Sequence, residues 1–471
     1  MAMGRRKKES QEVLWVEAGE LVRSPGHPFY ERLNGILDQA GFDEFVEGLC
    51  QKFYAERVGR PSLAPAVYFR LLLIGYFEGI DSERGIAWRV SDSLTLREFL
   101  GYALSDAPPD HSTISRNRRL IDLESHQEVF AWVLRILAKR GLLKGKTLGV
   151  DSTTLEANAA LRSIIRRDSG ESYEQFLERL AKASGIETPT RQDLAKIDKN
   201  RPGKGSNDDW QHPQDPDAKI TKMKDGRTHL AHKAGHAVDM ETGAVVGVRV
   251  DPASAGDTQT VEDLLEDVVD NLGEVMDDEE AADELSGELT AEMVADKGFH
   301  SNAVLRHLRE LGIRTYISEP QRGRRNWKRK TAERDATYAN RRRMARAKGQ
   351  ALQRRRGELL ERGFAHCYET GGMRRTHLRR HPNILKRLLI HVAGFNLGLV
   401  MRQTTGVGKP RGLQGRLAVA FSALRHLLAT GNASLPTRNP CPFFLPWILV
   451  AQSKRSDRPL PRWKRAFTTG C

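Results

Sequence analysis

Three acidic residues, far apart in the chain, sit in local contexts that suit metal-assisted phosphoryl chemistry. Asp151 follows the apolar run Leu148-Gly149-Val150 and precedes Ser152-Thr153-Thr154. Asp296 follows Met293-Val294-Ala295 and precedes Lys297-Gly298-Phe299. Glu361 lies in Gly357-Glu358-Leu359-Leu360-Glu361-Arg362-Gly363-Phe364, a helical stretch crowded by arginines. A carboxylate that ends a buried strand is costly unless a cation meets it. Converging carboxylates repel one another unless a divalent ion lies between them. A lone aspartate after a strand is ordinarily a turn or cap residue, so the argument rests on the ordered set.

The charge balance points the same way. The chain has 471 residues and a formal net charge of +14, which fits a polyanionic partner better than a small acidic metabolite. The cations are clustered. The stretch from Gln321 to Arg356 contains Arg341-Arg342-Arg343 and Arg354-Arg355-Arg356, with Trp327 and Tyr338 between them. A one-signed run repels itself unless an anion neutralises it. These six arginines, with Arg374 and Arg375, are therefore the expected contacts to double-stranded DNA. The bland alternative is a solvated charged helix, with the two aromatic rings packed on the core rather than stacked on bases.

Other classes are disfavoured. Four widely spaced cysteines form no C-x-x-C pair, so no disulfide framework or cysteine zinc site is expected. Met1 to Glu9 is charged and lacks the apolar core of a secretory signal, and Pro442 to Val450 is too short to span a bilayer. A cytoplasmic, nucleoid-associated protein without a membrane segment is expected. Gly203-Lys204-Gly205-Ser206 lacks the upstream glycine of a phosphate-binding loop. His229, His232 and His236 have a spacing that would suit zinc on a helix, but Gly235 and the β-type residues around them favour a strand. Asp239 reads as a hairpin residue and Asp257 as a helix N-cap.

The elements that must position these acids follow from periodicity. From Pro28 to Glu124 the apolar spacing is helical: Phe29, Leu33, Ile36 and Leu37 form one face, and Val67, Leu71, Ile74 and Gly75 another. Pro61 and Pro65 mark helix starts and Ser62 is a candidate cap; Asp106 to Asp110 breaks the region before His111 opens a further helix. This gives a helical domain over residues 20–125. The period then changes. Strands are expected at Thr147–Thr153, His232–Asp239, Ala244–Val250, Met293–Asp296 and Thr315–Ser318, with a hairpin turn at Met240–Gly243. Helices are expected from Thr258 to Leu272 and from Asn302 to Leu311, and again from Ile384 to Met401. The fold class is α/β, a mixed sheet with an all-α N-terminal domain. The catalytic domain spans 140–402, interrupted by a polar insertion with a loop at about 156–228 and a basic one at about 321–356. Residues 403–471 form a tail that no pattern assigns.

These residues carry a resemblance. Gly149-Val150-Asp151-Ser152-Thr153, Ala295-Asp296-Lys297-Gly298-Phe299-His300 and Glu361-Arg362-Gly363-Phe364-Ala365-His366 resemble the three acidic motifs of bacterial insertion-sequence DDE transposases. Gly372-Met373-Arg374-Arg375-Thr376 through Asn396-Leu397 is similar too, as is the helical region through Asp110-His111-Ser112-Thr113. The resemblance covers about residues 20 to 400. It implies a ribonuclease-H-like core, with Asp151 on the first strand, Asp296 at the end of the fourth and Glu361 on the helix after the fifth. It implies catalytic, metal-binding roles for Asp151, Asp296 and Glu361, two Mg2+ ions with Mn2+ as the substitute, cleavage and strand transfer at element ends, and a homodimer on DNA. The pattern departs from the family around the glutamate. Gly357 stands where an arginine is usual and Tyr368 where a lysine is usual, with Arg356 or Arg362 as substitutes. The competing functions are a DNA-binding regulator with structural acids and a metal-dependent nuclease without strand transfer.

Overall fold

A computed structural model describes residues 26–413 except 56–61, 104, 202–204, 224–225, 322 and 324. Pro61, Lys204, the N-terminal segment and the tail beyond Leu413 thus lie outside the described residues.

Seven helices come first: α1 (Pro28–Gln39), α2 (Phe42–Cys50), α3 (Pro65–Glu78), α4 (Glu83–Ser91), α5 (Leu94–Phe99), α6 (His111–Leu120) and α7 (Leu123–Lys139). Their starts are chemically marked. Asp110 caps α6 through Ser112 N–H, Asp122 caps α7 through Ser125 N–H, and Pro65 occupies the first turn of α3 behind Ala64 rather than Ser62. Helix α3 is not one-faced as the spacing suggested, since every residue from Tyr68 to Phe77 is buried.

The strands are β1 (Thr147–Glu156), β2 (Ile165–Arg166), β3 (Trp210–Gln211), β4 (Lys219–Lys222), β5 (Thr228–Asp239), β6 (Val245–Pro252), β7 (Glu292–Ala295) and β8 (Arg314–Ile317). Between them lie α8 (Tyr173–Ala183), α9 (Arg191–Asn200), α10 (Asp257–Met276), α11 (Glu279–Asp283) and α12 (Asn302–Glu310). Helices α13 (Thr331–Met344), α14 (Ala347–Phe364) and α15 (His381–Thr405) follow β8. In the main sheet β6, β5 and β1 are antiparallel, whereas β1, β7 and β8 run parallel; β4 pairs with the start of β5. This mixed sheet behind an all-α N-terminal region is a ribonuclease-H-like core.

Within the 156–228 insertion Ala157, Ile164, Phe176, Leu177, Trp210 and Ala218 form a small core with Leu230 of β5. One expectation needs revision: Asp257 opens α10 instead of capping it, and the cap position is Gly256.

Helix α15 joins the helical region to the sheet. It is long and apolar enough to cross a membrane, but 89% of its apolar window is buried inside the protein, as expected of a core helix. Arg387 donates to the carbonyls of Leu72 and Ile80, and Lys386 to those of Arg118 and Ile121. Asn396 exchanges both backbone bonds with Val245 of β6. Gly75 is where Arg387 enters, because a Cβ there would lie 2.0 Å from its guanidinium.

Candidate active site

The register of β1 sets the geometry. Val150 pairs with Ala295 in the parallel ladder, so the next residues, Asp151 and Asp296, emerge side by side. On the other edge Asp151 is opposite His236 of β5. Strand β1 does not stop at Asp151 but continues to Glu156, so this acid is mid-strand, not terminal as the sequence suggested. Asp296 directly follows β7, and its Oδ1 accepts from Gly298 N–H at 2.8 Å.

Asp151 meets a cation. Its Oδ2 accepts from Arg356 Nη1 at 2.8 Å, and its Oδ1 from Ser152 N–H at 2.8 Å. Burial pushes its carboxyl above the usual range and the neighbouring Asp296 adds to this, against the pull of Arg356 and the Ser152 amide. A second acid, Asp257, stands on the other side of β1. It accepts from Ser152 Oγ at 2.6 Å and pairs with the largely buried Lys233 at 2.6 Å. Asp257 and Asp296 both crowd Gly298: a Cβ there would sit 2.4 Å from Asp257 Oδ2 and 3.0 Å from Asp296 Oδ1.

Glu361 is on α14, the second helix after β8 rather than the first, and it is exposed. Five positions beyond Arg356, it lies about 140° around and about 7.5 Å along the helix. Among the described residues its side chain has no hydrogen bond or ion pair, and no three acids, histidines or cysteines are grouped closely enough to hold a metal. The structure thus brings Asp151 and Asp296 together and leaves Glu361 on the helix that carries Arg356. Glu358, one turn earlier, pairs with Arg362 at 3.8 Å. Just after Glu361 the helix widens to a π-helix, Ala365–Glu369, a form frequent at functional sites. Phe364 and Tyr368 pack there on His236, whose burial pulls its pKa down to about 3. His232 and His236 are both buried in β5, which is a strand as their neighbours suggested.

The eight arginines divide. Arg341 is held by Glu319 at 2.6 Å, and Arg343 by Thr315 at 2.8 Å. Arg355 donates to the Met240 and Glu241 carbonyls of the β5–β6 hairpin, Arg356 to Asp151, and Arg374 to Thr153 and Thr154. Arg375 approaches Glu156 at 3.9 Å. Arg342 and Arg354 are exposed, and neither has a polar partner among the described residues. The basic stretch therefore does have balancing acids: Asp335 within it pairs with Arg334, Glu319 just before it with Arg325 and Arg341, and the distant Glu292 with Lys348 at 2.6 Å. Trp327 and Tyr338 pack against each other, their rings 6.3 Å apart.

Two family models match: a transposase domain over residues 16–120 and a transposase DDE domain over residues 183–397. The second covers Asp296 and Glu361 and begins after Asp151. With the strand order above, these two matches decide the family. The chain belongs to the insertion-sequence DDE transposases. No curated protein and no solved structure shows significant similarity to it. DDE transposases act on DNA and generally use divalent metal ions. Asp151 and Asp296 offer the hard oxygen donors such an ion prefers, but Arg356 already meets Asp151 and no third acid, histidine or cysteine joins the pair among the described residues. Sequence reasoning named Arg356 only as a substitute phosphate contact and not as the partner of Asp151, quoted Ser152 without a role, and missed Lys233.

Proposed function

We propose that this transposase binds the ends of its element as double-stranded DNA, cleaves them and joins them to a target, with Asp151, Asp296 and Glu361 as the catalytic carboxylates. The observation that carries the reading is the juxtaposition of Asp151 and Asp296 on neighbouring parallel strands beside Arg356. Asp151, Asp296 and Glu361 would hold Mg2+, two ions in all, with Mn2+ as the substitute. Divalent cations bound there supply Lewis-acid stabilisation of the charge that develops on phosphoryl oxygens. The chain's own residues do the rest. Arg356 bonds Asp151 and opposes the effect of its burial, the Ser152 and Gly298 amides fix one oxygen of each aspartate, and Arg342 and Arg354 offer unpaired cations to backbone phosphates. A shift of α14 that carries Glu361 toward the aspartates would complete the set. The reaction needs two ends held together, so a homodimer on DNA is the expected assembly.

The test is single-turnover cleavage and joining of a labelled duplex bearing the inverted repeat that flanks the gene. Asp151→Asn and Asp296→Asn should each lower the rate by roughly 10^3-fold, since a lost metal ligand costs several kcal/mol of transition-state stabilisation, with binding retained. Near wild-type cutting by either variant removes that residue from the site. Cleaved but unjoined product would make the chain a nuclease; binding without magnesium-dependent cleavage would make it a regulator.

A further inference from the structure

Alternate residues of a strand face opposite sides of the sheet, so Asp151 and Ser152 of β1 have different neighbours. Asp151 meets Arg356 of α14, whereas Ser152 meets Asp257 in the first turn of α10. Nothing in the proposed chemistry uses Asp257. Its contacts nevertheless reach both aspartates of the site.

Asp257 Oδ1 accepts from Ser152 Oγ at 2.6 Å, and the same Ser152 donates its N–H to Asp151 Oδ1 at 2.8 Å. Asp257 Oδ2 crowds Gly298, where a Cβ would sit 2.4 Å from it. The Gly298 N–H in turn holds Asp296 Oδ1 at 2.8 Å. One carboxylate thus touches the two residues whose amides orient Asp151 and Asp296.

Asp257 is itself held in place. Lys233 of β5 donates to its Oδ1 at 2.6 Å and to the Ala255 carbonyl, just ahead of α10, at 2.7 Å. The Lys233 side chain is only 9% exposed, and a buried cation is costly without its acid. Two donors on one oxygen, one of them charged, leave the carboxylate little freedom to turn. A chain of bonds therefore runs from Lys233 through Asp257 and Ser152 to Asp151, across β5, α10 and β1. Carboxylates that bind metal ions are oriented by the groups bonded behind them, and loss of such a group typically costs 10–100-fold in metal affinity or activity. We infer that Asp257 is a positioning residue for the reaction. Through the Ser152 hydroxyl and the Gly298 turn it sets the spacing and orientation of Asp151 and Asp296. This inference rests on the roles proposed for those two aspartates.

The test uses the full chain with Mn2+ as the probe. Mn2+ binding without DNA is followed by electron paramagnetic resonance, and single-turnover cleavage of the labelled end duplex is measured over a series of Mn2+ concentrations. Ser152→Ala removes the hydroxyl but keeps the backbone amide and the Lys233–Asp257 pair. It should weaken Mn2+ binding, and raise the Mn2+ concentration for half-maximal cleavage, by roughly tenfold. Metal-free affinity for the end duplex, read by anisotropy, should stay unchanged. Ser152→Thr retains the hydroxyl and should restore both Mn2+ readouts. Asp257→Asn should cost more, roughly 100-fold, because the Gly298 turn loses its charged neighbour too. That variant leaves Lys233 buried without its acid, so circular dichroism checks its fold, and the Ser152 pair decides the matter if it does not fold. Wild-type Mn2+ dependence in Ser152→Ala would overturn the inference and leave the proposed reaction standing. A defect shared equally by Ser152→Thr would overturn it as well, since the position would then matter only for packing. A wild-type chain that neither binds Mn2+ nor cleaves would overturn both.

Discussion

The pair formed by Arg356 and Asp151 has consequences that reach Glu361. A buried carboxylate beside a second one needs a cation, and in this arrangement the guanidinium supplies it. Arg356 and Glu361 share one helix, so any shift that brings the glutamate toward the aspartates also moves their arginine. Glu358 is on the same helix and equally exposed, but it is engaged with Arg362, whereas the Glu361 side chain has no partner among the described residues. Glu361→Gln should remove magnesium-dependent cleavage, whereas Glu358→Gln should change the rate less than about threefold, as loss of an exposed ion pair implies. Both variants should keep the wild-type circular dichroism spectrum, since neither opens a cavity. The measurement is single-turnover cleavage of the labelled end duplex. A dead Glu358→Gln with an active Glu361→Gln would place the functional carboxylate one turn earlier.

At the level of elements, β1 and the turn after β7 work as one clamp. Gly298 lets that turn approach both Asp257 and Asp296, and a methyl group there would overlap the first at 2.4 Å. Gly298→Ala should therefore displace Asp296 and cost about 10^2-fold in cleavage, the usual effect of misplacement by about an ångström, with DNA affinity kept. Unaltered cleavage would show that the turn tolerates the shift. The five expected strands and the hairpin were legible because alternating and buried apolar runs such as Leu148-Gly149-Val150 and Met293-Val294-Ala295 have few other uses, whereas the short β2, β3 and β4 carry no such run. The neighbouring placement of Asp151 and Asp296 follows from the same two runs. What was not legible depended on distance in the chain. Nothing local to Arg356 distinguishes it from Arg354, yet one turns to Asp151 and the other to solvent. Asp257 resembles any helix cap until Ser152 and Lys233 arrive from other strands. Glu319 balances Arg325 and Arg341 from outside the run that looked one-signed. That pairing changes the expected salt dependence. Replacing Arg341, Arg342 and Arg343 by alanine should lower the slope of log affinity against log salt by about 0.9, the contribution of one phosphate contact, and not by about three times that. A drop near the larger figure, measured by anisotropy between low and moderate salt, would mean that DNA recruits Arg341 and Arg343 from their partners.

The molecule as a whole is held together by helix α15 and by polar groups buried around it, and this makes its stability depend on pH. His126, between Tyr68 and the Asp122 carbonyl, has its pKa pulled down to about 3 by burial. His236 is likewise held to about 3, and His391, bonded to the Cys367 carbonyl beneath the π-helix, lies well below its ordinary value. All three are neutral in the folded chain. In the unfolded chain they take up protons as pH falls through about 6.5. Between that value and about 3 the unfolded state binds more protons than the folded one, so stability rises with pH across this window and is lost as pH falls. Three such groups give a limiting slope of about 4 kcal/mol per pH unit, at about 1.4 for each. Urea unfolding followed by circular dichroism should thus show a midpoint that is flat above about pH 7.5 and drops steeply below about pH 6. His126→Gln removes one titrating group that is remote from Asp151 and Asp296. It should lower stability at neutral pH, through the altered contact with Tyr68, and reduce the acid slope by about one proton. An unchanged slope in that variant would mean that His126 already accepts a proton in the folded chain, and that the link between the N-terminal helices and the sheet is more hydrated than its burial implies.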